Sequence, residues 1–146
     1  QTVTVWLAIY DTDERDSAMQ VVRGSQRGRF LRHHTNDGAH LVLEQEVDED
    51  QIDVGNVVTL DLKAGEISLH DGGLLHGSGQ NKSNSIRAGI TMRFSPTDVK
   101  CDLGVWPTFE SYIARGSDRF NYNPIGQPPD GESFPIRKFQ HASDFI

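Results

Sequence analysis

The stretch Leu69-His-Asp-Gly-Gly-Leu-Leu-His-Gly-Ser-Gly79, followed by Ile86-Arg-Ala-Gly-Ile-Thr-Met-Arg93, decides how this chain is read. His76 ends a short apolar strand over 74–76, at the lip of a loop over 77–84 whose Gly, Asn and Ser content is that of a surface turn. Eleven residues later Arg87 opens a second strand. Along it Arg87, Gly89, Thr91 and Arg93 share one face, and Ala88, Ile90, Met92 and Phe94 share the other. An antiparallel return through such a loop brings His76 and Arg87 to one cavity. A neutral imidazole suits a first-row metal and a guanidinium fork suits a carboxylate. Ser78 adds a hydroxyl donor. Together these groups can hold a metal and anchor the far end of a chelating oxoacid.

Outward from this stretch the chain reads as short strands between turns. Residues 2–9 form a strand rich in β-branched side chains, with Val3, Val5, Leu7 and Ile9 on one face and Thr4, Trp6 and Ala8 on the other. A charged turn over 11–16 and a strand over 18–22 follow, then a locally basic loop over 23–29. Residues 33–40 read as irregular, and 44–53 as an acidic stretch without a clear structural signal. Strands are expected over 56–62 and 66–70, with Lys63-Ala-Gly65 as the turn between them. Residues 108–115 suit a short helix, and 116–146, rich in Pro, Gly and Asp, an extended tail. The pattern is all-β: a sandwich, barrel or jelly roll. Two strands carry a full apolar face opposite a face of selected polar groups. A sheet lining a polar pocket needs those apolar faces covered from outside. The chain has almost no helix for this, so the cover is expected from an N-terminal part that precedes these residues, or from a second copy.

With 146 residues there is room for one core. A net charge of −7 leaves no basic footprint for nucleic acid or an anionic membrane and is most simply a source of solubility. The apolar runs are too short to span a bilayer. One cysteine, Cys101, excludes an internal disulfide and fits a reducing, cytoplasmic compartment. The chain opens directly on a strand without an initiator Met, which reads as a start within a domain.

Each candidate has a plainer account. His76 alone suits a histidine satisfied by a backbone carbonyl, Arg87 a salt-bridge arginine, Trp6 simple core and Ser78 a loop hydroxyl. His70 and Asp71 are adjacent on a strand and so point to opposite faces, which argues against a ligand pair; Asp71 reads as a turn residue. His33 and His34 read as solvated.

Taken together, Val3-Thr-Val-Trp-Leu-Ala8, Met19-Gln-Val-Val-Arg-Gly-Ser25, Leu62-Lys-Ala-Gly-Glu66, Leu75-His-Gly-Ser-Gly79 and Arg87 resemble, in order and spacing, the phytanoyl-CoA dioxygenase family over roughly residues 2–96. The resemblance implies a double-stranded β-helix, here its C-terminal part over 1–100 with an extension over 101–146 packed on it. It also implies Fe(II) and 2-oxoglutarate as cofactor and cosubstrate. His76 then resembles the distal histidine of the iron-binding triad, Arg87 and Ser78 the groups on the distal carboxylate of 2-oxoglutarate, and Trp6 the tryptophan lining the cosubstrate pocket. The family's other two metal ligands form a His-x-Asp pair upstream of the strand with Trp6, and no His-x-Asp occurs in this sequence. The expectation is therefore part of an oxygenase that hydroxylates a small organic substrate. Its alternative is a non-catalytic jelly-roll binding module without metal chemistry. Alone, the chain is expected to be a homodimer joined through the apolar faces.

Overall fold

A computed structural model of the chain describes residues 2–28, 31–35 and 45–127. The end of the tail, with its Phe134 and Phe139, lies outside the described residues, as do Arg29, His40 and Glu44. The chain divides into two compact units, 1–96 and 97–146.

Among the described residues of the first unit eight strands run in the order β1 (Val3–Ala8), β2 (Gln20–Val22), β3 (His33–Thr35), β4 (Gln45–Val47), β5 (Val57–Thr59), β6 (Ile67–Asp71), β7 (His76–Gly77) and β8 (Gly89–Phe94). They form two three-stranded antiparallel sheets, β6-β1-β8 and β5-β2-β7, and a separate antiparallel pair, β3-β4. Leaving aside β3 and β4, the chain passes from the first sheet to the second with β1 and β2. From β5 through β8 it alternates between them at every step. That winding is a double-stranded β-helix, or jelly roll.

The crossings are held by backbone and turn chemistry. Thr12 bridges Leu62 where β1 leaves its sheet, with Thr12 N–H donating to Leu62 O at 2.8 Å. The turn before β6 needs Gly65, whose φ of +87° is left-handed, and Asp11 receives both Ala64 N–H (2.9 Å) and Lys63 Nζ (3.0 Å) there. Ala8, Ala18, Met19, Val21 and Val22 form the buried apolar core, with the polar Thr4, Thr12 and His70 buried beside them.

In the first sheet the register aligns Val3 with Phe94, Val5 with Leu69 and Met92, and Leu7 with Ile67 and Ile90. This apolar face is open: Leu69 is 65% exposed, Ile67 52%, Ile90 49% and Phe94 46%. The opposite face, with Thr4, Trp6 and Ala8, is the covered one. The β1 parity read from the sequence therefore holds, and the polar side of the strand points inward.

Two expectations need correction. Residues 33–35, read as irregular, form β3 and pair with β4 inside the acidic stretch, His34 facing Glu46. His34 is exposed, as read, with two carboxylates beside it, Nδ1 at 3.0 Å from Asp48 Oδ1 and Nε2 at 3.3 Å from Glu46 Oε1. Residues 108–115 form no helix. In this second unit Ser111 N–H donates to Pro124 O (2.8 Å) and Gly126 N–H to Ser111 O (2.9 Å), a parallel bridge that takes the backbone groups a helix would use. Aromatic and β-branched residues such as Thr108, Phe109, Tyr112 and Ile113 offer a helix little in return.

Candidate active site

The inner face of β6-β1-β8 is built by register. Thr4 is flanked by His70 on β6 and Arg93 on β8; one step on, Trp6 is flanked by Ser68 and Thr91; Ala8 faces Gly89. Gly89 is there for space. A Cβ at this position would overlap Cε2 and Cζ2 of the Trp6 indole, so the ring lies directly on the glycine backbone. Gly89→Ala is expected to displace the indole and cost about 1–3 kcal/mol through overpacking. Denaturant titration with tryptophan fluorescence would check this, unchanged stability and emission being the contrary result.

The placed indole supports a cation. Cζ of Arg87 sits 5.0 Å from the Trp6 ring centroid, within cation–π range. Arg87 is half-buried, and its Nε is buried with no hydrogen-bond partner. Burial pushes the Arg87 pKa down from its ordinary value, though a guanidinium stays charged in any protein. A buried cation without a counter-ion is costly unless something binds it. The aromatic face offsets part of this cost.

His76 comes from the second sheet, opposite Val21 on β2. Its strand is pinned from both sides: Val22 N–H donates to Leu75 O at 2.9 Å, and Leu75 N–H donates to Ser25 Oγ at 2.8 Å. Ser25 follows Gly24, whose φ of +86° turns the chain so that the hydroxyl can reach back. His76 Nδ1 lies 2.7 Å from Leu74 O. A carbonyl oxygen only accepts, so Nδ1 carries the proton, and in the neutral ring Nε2 keeps its lone pair. The backbone carbonyl of the plainer account is thus present, and it fixes the tautomer a metal ligand needs.

The two sheets meet in a ring contact. His70 and His76 have centroids 5.0 Å apart, with planes tilted by 51°. His70 is 8% exposed and its Nδ1 is buried without a partner. Burial first, then His76 and Arg93 nearby, push its pKa below the usual histidine value. The sequence reading passed over His70 as half of an unworkable pair with Asp71. Asp71 is a turn residue, its Oδ1 accepting from Gly73 N–H at 2.8 Å. His70 belongs to the site face, and its alternation with Leu69 and Asp71 on β6 was the signal available.

The structure thus brings Trp6 to Arg87, and His76 to His70. Ser78 lies in the exposed loop beyond β7 and forms no hydrogen bond among the described residues. No three His, Cys, Asp or Glu side chains among the described residues gather closely enough to hold a metal ion. His76 therefore suits one position in a ligand set, and Arg87 suits the carboxylate of a chelating oxoacid. Among the described residues no helix is long and apolar enough to cross a membrane.

A family model described as phytanoyl-CoA dioxygenase matches residues 1–89. No curated protein matches the chain. Among solved structures, a non-heme monooxygenase, ThoJ in its apo form, superimposes with a TM-score of 0.62 at 26% identity, over 87% of this chain and 44% of that one. The epimerase SnoN, in complex with Fe3+, alpha ketoglutarate and nogalamycin RO, agrees in fold with a TM-score of 0.50 at 18% identity, over 87% of this chain and 48% of that one. The chain spans less than half the length of either.

Proposed function

The chain belongs to the phytanoyl-CoA dioxygenase family, and from that premise we propose that it is the C-terminal part of a non-haem iron(II)/2-oxoglutarate-dependent oxygenase acting on a small organic substrate. In this reading His76 Nε2 ligates the metal, Arg87 pairs with the distal carboxylate of 2-oxoglutarate, Ser78 closes on the same carboxylate when it binds, and Trp6 lines the cosubstrate pocket. The observation that carries it is the Arg87 guanidinium, held on the Trp6 face with a buried, unpartnered Nε. That group is pre-placed for an anion.

Each residue has a physical task. Trp6 holds the guanidinium plane and keeps water from its inner face. Arg87 offers a charge-assisted fork that fixes the oxoacid's far end, and so its reach toward His76. Leu74 O keeps the His76 proton on Nδ1, and Ser25 fixes the strand on which His76 stands. Iron and 2-oxoglutarate held by these residues would let dioxygen, the oxidant, be reduced by two electrons from the oxoacid, which leaves as succinate and CO2, and by two from a substrate C–H bond.

The test is titration of the 146-residue chain with Fe(II), with and without 2-oxoglutarate, followed by a succinate assay. One imidazole where three protein ligands are needed should give weak iron binding and no turnover. The residues encoded upstream of Gln1 should contain a His-x-Asp pair, and the longer polypeptide should form succinate. Robust succinate formation by the 146-residue chain alone would overturn its reading as a part. A longer polypeptide that binds neither iron nor 2-oxoglutarate would favour the non-catalytic binding module.

A further inference from the structure

Once the proposed cosubstrate is accounted for, two groups on the inner face remain without work. An oxoacid anchored at Arg87 and chelating a metal carried by His76 would have both ends engaged. His70 and Arg93 are left over, one on each side of Thr4 in the register. His70 is buried, its Nδ1 has no partner, and neither of its ring nitrogens is hydrogen-bonded among the described residues. A buried imidazole is expected to find a partner, and native structures seldom leave such a group orphaned. Arg93 is exposed and forms no ion pair among the described residues, although the chain carries 21 acidic side chains against 14 basic ones. It also stands on the face that carries Trp6, and not on the open apolar face of the same strand. The two side chains stand on one face of the sheet, one register position to either side of the buried Thr4, and the His70 ring is in contact with His76.

We propose that His70 and Arg93 form a second anion site, which takes the carboxylate or phosphate oxygens of the substrate and holds that substrate beside His76. The substrate class is then a small anionic organic molecule. Arg93 supplies the charge and a two-pronged donor fork, and His70 a single ring N–H that adds direction. A hydrocarbon chain or a neutral sugar would leave both groups unpaired on binding and be selected against. The assignment of the ligand as substrate rests on the oxygenase reading; the anion site itself rests on the residues.

The experiment follows the arginine Nε–H and histidine ring signals of the 15N-labelled chain by NMR as inorganic phosphate or sodium acetate is added. Saturable shifts at Arg93 and His70 are expected, with a dissociation constant on the order of 1 mM. Arg93→Gln, at an exposed position, should weaken them by about tenfold while the His76 and Trp6 signals stay at their original positions. A response to phosphate alone marks a phosphorylated substrate, and one to acetate alone a carboxylate; either supports the site. The shifts should persist when 2-oxoglutarate is present at saturation. No saturable shift with either anion, an undiminished response in Arg93→Gln, or displacement of both anions by 2-oxoglutarate would each overturn the proposal. Failure of 2-oxoglutarate to move the Arg87 and Trp6 signals would count against the oxygenase reading, and the Arg93 response would still report on the anion site.

Discussion

His76→Ala is expected to abolish succinate formation in the polypeptide that carries the whole ligand set, while leaving the β5-β2-β7 sheet folded. The imidazole is exposed, so its removal opens no cavity. What goes is the one nitrogen on these strands whose tautomer is fixed for a metal, with Nδ1 on Leu74 O and Nε2 free. Altering the second shell of a metal site typically costs 10- to 100-fold in affinity or activity, and removing a ligand should exceed that. Circular dichroism, iron titration and succinate yield, measured together, would check it. Wild-type iron affinity in a folded His76→Ala protein would strip His76 of its assigned role.

Arg87→Ala should act on a different quantity. Truncating one partner of a desolvated, hydrogen-bonded charge pair costs on the order of 2–5 kcal/mol, which is a loss of about 30- to several-thousand-fold in 2-oxoglutarate affinity at 1.4 kcal/mol per decade. Iron binding should change little, because Arg87 is held against Trp6. In kinetics the loss should fall on KM for 2-oxoglutarate far more than on kcat at saturating oxoacid. Arg87→Lys is not a rescue: an ammonium keeps the charge but loses the flat face that stacks on the indole and the two-pronged contact with a carboxylate. Unchanged 2-oxoglutarate affinity in Arg87→Ala would remove the arginine from the site.

The strand parity of β1 and β8 was legible in the sequence because side chains alternate strictly and both strands are long. Trp6 and Arg87 could be placed on one face from that alone; the spacing from His76 suggested an antiparallel return between neighbouring strands, whereas β7 and β8 lie in different sheets. Where the signal was weak the reading failed for identifiable reasons. The strands β3 and β4 are three residues each, and β3 is exposed along its whole length, so no alternation marks them. His70 was lost because the question put to it was whether it could share a metal with Asp71; its own face was not followed. Nothing in the sequence set Gly89 apart, and only the Trp6 ring lying on it shows why a side chain cannot be there. The helix expected over 108–115 ignored what residues 124–126 offer its backbone. Pairing between distant segments is not a local property.

The same register bears on how the chain folds. Among the described strands β1 comes earliest, yet it is the central strand of its three-stranded sheet, and its partners β6 and β8 lie roughly sixty to ninety residues further on. Closing loops of that size costs entropy before any pairing repays it, which places this unit among slow folders, on the order of milliseconds to seconds. Synthesis at about 5–20 residues per second leaves β1 waiting several seconds for its second edge to be covered. Throughout that wait Val3, Val5 and Leu7 and two open backbone edges are accessible to any other chain. Yield during expression should therefore depend on chaperone capacity and temperature more than on the final stability of the sheet.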